Sequence, residues 1–156
     1  MTKKKINELI SLSQEKAKLL KDMHQFTIGQ KEYIEKEDME GLNQLLDKKD
    51  NIIKQIDRLD VSFLNIFSQI KKEEAIESVD ELDIEKYPNL KELKEIVTEI
   101  SSTLMALSLL DEENNKVMKQ RLEETKMELK KVKEGQRAYK GYNHITTGSM
   151  MIDEEK

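Results

Sequence analysis

Positions 42 to 70 carry apolar residues at alternating steps of three and four, the spacing at which one stripe of an α-helix faces a partner along its length. The stripe reads Leu42, Leu45, Lys49, Ile52, Ile56, Leu59, Phe63, Ile66 and Ile70, with Lys49 the one polar member. Leu46, Ile53 and Phe67 widen it. Because a face of that width can meet two neighbouring helices, the pattern favours a bundle over a simple hairpin.

A helical pattern and two connections flank this segment. From Ile6 to Ile34, apolar residues recur at mostly three- and four-residue steps, which predicts a first helix. Asp38 then offers a side-chain acceptor to the free N–H groups of the second helix. So short a connection makes the two helices antiparallel neighbours. After the second helix, residues 73–88 form a long acidic connector ending at the only proline, with Ser78 and Glu81 spaced as the capping box of one short helix.

The third helical pattern is longer than the other two. It opens at Asn89, an N-cap residue with Glu92 three positions later. Its seam reads Leu93, Val97, Ile100, Leu104, Leu107, Asn114, Met118, Leu122, Leu129 and Val132. Asn114 is a polar exception of the kind that fixes register in coiled coils. A helix reaching Lys140 would be about 75 Å long against about 50 Å for each earlier one, so part of its seam has no partner inside the chain.

Composition agrees with an all-α fold. Charged residues make up 38% of the chain and aromatic residues 4%, and only five glycines occur, a balance typical of long helices. The sequence predicts an antiparallel, coiled-coil-like bundle of three long helices at about 3–36, 39–72 and 89–140. Residues 1–140 would form one domain and residues 141–156 a flexible C-terminal tail.

One alternative remains for the third helix. If the chain bends back near Asp111–Asn115, the later residues form a fourth bundle helix and their apolar seam is core. If the helix is continuous, Leu122, Met127, Leu129 and Val132 lie in an overhang. An exposed apolar stripe of this kind marks a binding surface, which points to another protein rather than to a small substrate.

Catalytic and metal-binding motifs are missing from the sequence. The chain has no cysteine, and its two histidines, His24 and His144, lack the glutamate three residues earlier that di-iron bundles use. No phosphate-binding loop or nucleophile elbow occurs. The sequence therefore predicts no enzyme, no metal site and no cofactor. The net charge of -5 argues against nucleic-acid binding, and without a membrane span or a signal-peptide core the protein is predicted to be cytoplasmic.

Basic residues concentrate near the end of the third helix. From Lys126 to Lys140 there are six of them against Glu128 and Glu134. One interpretation is a solvated face that also complements the negative end of the helix dipole. The other is an electrostatic guide for an acidic partner, and both remain open.

Three stretches resemble the FlgN-type flagellar export chaperones. Residues 38–49 (DMEGLNQLLDKK) are similar to the acidic turn, leucine pair and following lysine that open the family's second helix. Residues 110–118 (LDEENNKVM) resemble a stretch with two asparagines before an apolar pair, with Asp111 where the first asparagine is expected. Residues 139–141 and 148–153 are similar to the terminal strings of some members.

The resemblance implies a chaperone that binds hook-filament junction (hook-associated) proteins before secretion, protects them and delivers them to the flagellar type III export gate. It implies a monomer or weak homodimer, with gate docking through Tyr139 or Tyr142. The cargo-binding residues it implies are Val117, Met118, Leu122, Leu129 and Val132. Two other interpretations stay open: a related chaperone for the filament cap, and a structural coiled-coil protein without a client that closes a homodimer.

Overall fold

The structure is a computed structural model that describes the backbone of residues 1–147 and the side chains of residues 1–141. Its elements are α1 (Thr2–Glu35), α2 (Met39–Glu74), a short 3-10 helix (Val79–Glu81) and α3 (Leu90–Thr147). Within residues 1–147 no strand occurs. The predicted all-α class, with three long helices and a short helix in the connector, is confirmed.

α3 extends beyond its predicted C-terminal end. It continues to Thr147 rather than ending near Lys140. Gly135 and Gly141 lie inside it, because a glycine costs only about 1 kcal/mol in a helix interior and does not by itself end a helix. The helix also has no break at residues 111–115, where the alternative places a bend.

The chain divides into two compact units, Met1–Asn115 and Lys116–Lys156. The first unit holds α1, α2, the connector and the beginning of α3, and the second unit begins within α3. One bundle domain over residues 1–140 with a flexible tail over residues 141–156 stays a prediction, because most of that tail lies outside the described residues.

The turn between α1 and α2 has the predicted cap. Asp38 is the N-cap of α2, and its carboxylate accepts a hydrogen bond from the backbone N–H of Gly41 at 3.0 Å. Glu37, just before it, adopts a φ of 58°. Gly41 packs so closely against Tyr33 that a Cβ would lie 2.6 Å from the ring. The turn therefore depends on a glycine and an aspartate at these two positions.

Ion pairs in the first unit give the directions of its helices. Those between α1 and α2 join early residues of one helix to late residues of the other: Lys5–Glu73 and Lys16–Asp60. Those between α1 and α3 join residues in the same order: Lys21–Glu99 and Lys31–Glu113. α1 and α3 are therefore parallel, and α2 runs antiparallel to both.

Two apolar clusters fill the core of the first unit. One lies where α1 begins, α2 ends and α3 begins, and its buried members are Ile6, Leu9, Ile10, Ile70, Leu82, Leu90 and Leu93. The other lies halfway along the helices, with buried members Leu20, Met23, Ile52, Ile56, Ile100 and Leu107. Burying one such side chain contributes about 1.5–3 kcal/mol, whereas an exposed ion pair contributes about 0–1 kcal/mol. Apolar packing therefore holds the helices together.

Polar side chains join α1 to α3 at two places. Asn114 is 2% exposed, and its Nδ2 donates to the carbonyl oxygen of buried Thr27 at 2.9 Å. The hydroxyl of Thr27 donates to the carbonyl oxygen of Met23 at 2.7 Å. Asn89 donates from Nδ2 to Oδ1 of Asn7 at 2.8 Å. Because its amide is committed to α1 and its Oδ1 has no hydrogen-bond partner, the side-chain cap predicted for Asn89 is not made.

The connector between α2 and α3 has a defined backbone conformation at its start and around Glu81. α2 ends at Ala75, which adopts the left-handed conformation with a φ of 53°. Farther along, the carboxylate of Glu81 accepts backbone N–H groups of Ser78 at 2.8 Å and Glu77 at 2.6 Å. These hydrogen bonds favour the ionised form and lower the pKa of Glu81. The predicted contact between the Glu81 carboxylate and the Ser78 N–H is thus present.

Ala75→Gly is expected to raise the free energy of unfolding by about 0.5–1 kcal/mol. The left-handed conformation costs an alanine roughly 1–2 kcal/mol, and the greater freedom of glycine in the unfolded chain offsets about 0.4–1 kcal/mol of the gain. Chemical denaturation measures the difference. Ala106→Gly, inside α3, is the control and should lower stability by about 1 kcal/mol. Equal losses in both variants would show that the conformation at Ala75 carries no strain.

Candidate protein-binding site

The C-terminal segment, residues 116–141 of α3, carries an apolar stripe. We use the name C-terminal stripe for the predicted cargo-binding residues Val117, Met118, Leu122, Leu129 and Val132. At about 100° per residue these five fall within an arc of roughly 140° on the helix surface. Leu122, Leu129 and Val132 are between 54% and 56% exposed, and Met118 is 37% exposed. The structure therefore brings the five residues onto one face and leaves most of it open.

Two other exposed residues of the segment lie at different positions around the helix. Tyr139 is 67% exposed and follows Val132 by seven residues, which places it on the same face as the stripe. Met127 is 62% exposed but lies about 80° outside the nearer edge of the stripe. Met127 therefore belongs to the exposed segment but lies off the stripe. The side chain of Tyr142 lies outside the described residues, so its predicted role stays untested.

Basic residues line one edge of the C-terminal stripe. We name them the basic row: Lys119, Lys126, Lys130, Lys133 and Arg137. They cover an arc of about 60° next to Leu122 and Leu129, and all five are exposed. At the other edge, Glu124 forms an ion pair with Arg121 at 3.7 Å, and Glu128 and Lys131 follow within two turns. The two edges of the stripe therefore differ in charge.

A second apolar surface, a groove of about 880 Å³, lies within the first unit. Its apolar lining is formed by Leu20, Met23, Ile53, Ile56, Leu104 and Leu107. Ile53 is 44% exposed and Leu104 is 45% exposed. Sequence reasoning missed this groove because it placed Leu104 on a seam between helices. The spacing gave no signal for it, because exposed Val97 and Leu104 are seven residues apart just as buried Ile100 and Leu107 are.

Charged residues of the groove are paired within the first unit. Lys16 contacts Asp60 at 2.8 Å between Nζ and Oδ1. Lys49, the polar member of the α2 stripe, has a side chain only 11% exposed, and its Nζ lies 3.0 Å from Oε1 of Gln30 and 3.4 Å from Oδ1 of Asp111. These contacts explain why a lysine is accommodated among apolar residues of α2. Asp111 is one of the two side chains that accept a hydrogen bond from Lys49.

The chain matches the family described as FlgN protein over residues 1–145. The chain belongs to the FlgN family. This is a family of chaperones in flagellum biogenesis and not a family of enzymes, and the resemblance of the sequence is confirmed. No protein with a curated description and no solved structure matches the chain.

Membership of the FlgN family gives the two surfaces a functional context, because a chaperone must bind other proteins. Neither surface is assigned to a client by the family match. Among the described residues, no helix combines the length and the apolar content needed to cross a membrane. The cargo-binding and gate-docking residues remain predictions.

Proposed function

We propose that this FlgN-family chain binds hook-filament junction (hook-associated) proteins in the cytoplasm, protects their assembly-prone helices and delivers them to the flagellar export gate. The observation that carries the proposal is the exposed C-terminal stripe in a chain of this family. A cargo helix would lay its apolar face on the stripe, as amphipathic helices do in helix-in-groove recognition.

The size of the stripe suits a carrier. Covering four or five apolar side chains at about 2 kcal/mol each gives on the order of 10 kcal/mol before ordering and association costs of several kcal/mol. The net value of about 5–7 kcal/mol corresponds to a dissociation constant of roughly 10–200 μM. Such a complex holds the cargo against self-assembly and still releases it at the export gate.

Tyr139 is the first candidate for docking to the export gate, and Tyr142 is the second. Tyr139 is 67% exposed and lies on the face of the C-terminal stripe. An exposed tyrosine offers a large apolar ring and a hydroxyl that can donate a hydrogen bond, a combination enriched in protein interfaces.

Co-purification of hook-associated proteins with the full chain, and with a chain truncated after Lys116, tests the cargo assignment. The full chain should retain these proteins and the truncated chain should lose them, because the truncation removes the C-terminal stripe and leaves both core clusters in place. Circular dichroism checks that the truncated chain remains helical.

Equal recovery of hook-associated proteins by a folded truncated chain would contradict the cargo site. The groove of the first unit would then be the candidate binding surface. Failure of the full chain to retain any hook-associated protein would contradict the proposed clients. Sedimentation then distinguishes the structural alternative. A tight dimer that separates when Leu122 and Leu129 are changed to alanine would indicate a protein that uses the stripe to dimerise.

A further inference from the structure

The basic row is not explained by contacts within the described chain. None of its five members forms an ion pair with any residue whose side chain the structure describes. The helix dipole does not account for it either, because that field is confined to the last turn, whereas Arg137 lies more than two turns before Thr147. Five like charges follow the Leu122 and Leu129 edge of the stripe, so the row belongs to the same surface.

We infer that the basic row selects the partner of the C-terminal stripe: an amphipathic cargo helix that carries a row of Asp or Glu side chains beside its own apolar face. This inference rests on the proposed function for the identity of the cargo and adds its charge pattern. Basic residues that flank a helical seam pair with carboxylates on the facing flank, as at the e and g positions of coiled coils. Such pairs speed the encounter and disfavour helices that present lysine at that flank.

The charge pattern also fixes the orientation of the bound helix about its own axis. Only one edge of the stripe is uniformly basic, and the other carries Glu124 and Glu128 together with Arg121 and Lys131. A partner helix with carboxylates along one flank therefore fits when that flank faces the basic row. Rotation that turns its carboxylates to the other edge replaces five basic partners with an edge that carries as many acidic as basic residues.

A second copy of this chain fits the stripe less well than an acidic helix. In an antiparallel pair of helices, like edges meet across the seam, so the basic row of one copy would face that of the other. Like charges at such positions repel. In a parallel pair the row would face Glu124 and Glu128, but Arg121 and Lys131 lie on that same edge and would repel it.

An anionic membrane is also disfavoured by the mixed edge. Helices that lie on anionic lipid combine an apolar face with a basic polar face, so that both flanks meet the headgroups. Here one flank carries Glu124 and Glu128 against Arg121 and Lys131, so it has no net positive charge with which to meet the headgroups. The observations therefore favour a helix with one acidic flank.

Two synthetic helical peptides with the same leucine seam test the inference without requiring the natural cargo. One carries glutamates along one flank, and the other carries lysines at the same positions. Isothermal titration of the full chain at about 50 mM salt should show the glutamate peptide binding at least about tenfold more tightly, with the preference reduced to about threefold at about 500 mM salt by screening.

Reversal of the row should reverse the preference. In the variant Lys126→Glu/Lys130→Glu/Lys133→Glu, the lysine peptide should bind about tenfold more tightly than the glutamate peptide. The matched control reverses three exposed lysines of the first unit, Lys18→Glu/Lys54→Glu/Lys91→Glu. It changes the net charge equally and should keep the preference of the unchanged protein.

Several results would overturn the inference. They are binding of neither peptide, equal binding of both peptides, or a control variant that loses the preference for the glutamate peptide as the row variant does. Sedimentation with vesicles of phosphatidylcholine and phosphatidylserine completes the test. Binding to these vesicles that depends on the row, without a peptide preference, would assign the row to lipid instead.

The natural cargo separates this inference from the proposed function. Selective binding of the glutamate peptide without binding of any hook-associated protein would support the inference and contradict the proposed clients. Equal affinity of a hook-associated protein for the unchanged chain and the row variant would support the clients and contradict the inference.

Discussion

Leu90→Ala is expected to lower the free energy of unfolding by about 3 kcal/mol. Leu90 is the first residue of α3 and is 0% exposed. Its side chain lies in the cluster that joins the start of α1 to the end of α2 and to Leu82 of the connector. Truncation removes apolar contacts and leaves a cavity, because well-packed neighbours collapse only partly into the space. Urea denaturation followed by circular dichroism measures the change.

Leu109→Ala is the matched control for this prediction. Leu109 belongs to the same helix and the same unit, but it is 64% exposed. The identical substitution there removes little buried surface and should change stability by less than about 0.5 kcal/mol. Similar losses at the two positions would mean that the cluster around Leu90 is not a packed core.

The helices could be predicted from the sequence because their seams have a regular period. The α2 stripe is buried or partly buried at every position, including Lys49. Prediction was weaker where two seams lie side by side. Val97 and Leu104 belong to the predicted α3 seam, yet both are exposed, whereas the seam residues Leu93, Ile100, Leu107 and Asn114 are buried. Spacing alone does not tell which of two adjacent heptad positions faces a neighbouring helix.

Polar contacts across the bundle were the least predictable part of the fold. Thr27 is fully buried on α1, where the apolar pattern predicted no core residue. Its burial depends on hydrogen bonds to Met23 and Asn114, which are 4 and 87 residues away in sequence. A pattern of apolar residues carries no signal for a partner at that distance. The polar interruption at Asn114 was the one visible sign of it.

The candidate site could be predicted from the sequence because all of its residues lie on one helix with a regular repeat. The helical repeat of α3 from Val117 to Val132 puts the five stripe residues on one face and Met127 outside it. α3 also continues to Thr147, so the basic row lies outside its last turn and the dipole interpretation does not apply to the row. Helix length thus removes only the dipole part of one interpretation. A solvated face and an electrostatic guide for an acidic partner both stay predictions.

Leu122→Ala/Leu129→Ala in the full chain is expected to weaken binding of a hook-associated protein by about 100- to 1000-fold. Leu122 and Leu129 are 54% and 55% exposed and lie at the centre of the segment's apolar length. Removing two leucine side chains from a covered surface costs about 3–4 kcal/mol. Alanine keeps the helix, because it has the highest helix propensity. Isothermal titration calorimetry measures the change.

Met127→Ala is the control that makes this result specific. Met127 is 62% exposed on the same segment but lies off the stripe, so its truncation should change the affinity by less than about threefold, or 0.7 kcal/mol. If the double variant bound cargo as well as this control did, the stripe would not be the cargo site. If both variants lost affinity equally, the partner would surround the helix rather than lie on one face. Only a loss confined to Leu122 and Leu129 fits a single cargo helix on the stripe, since one helix covers one face of another.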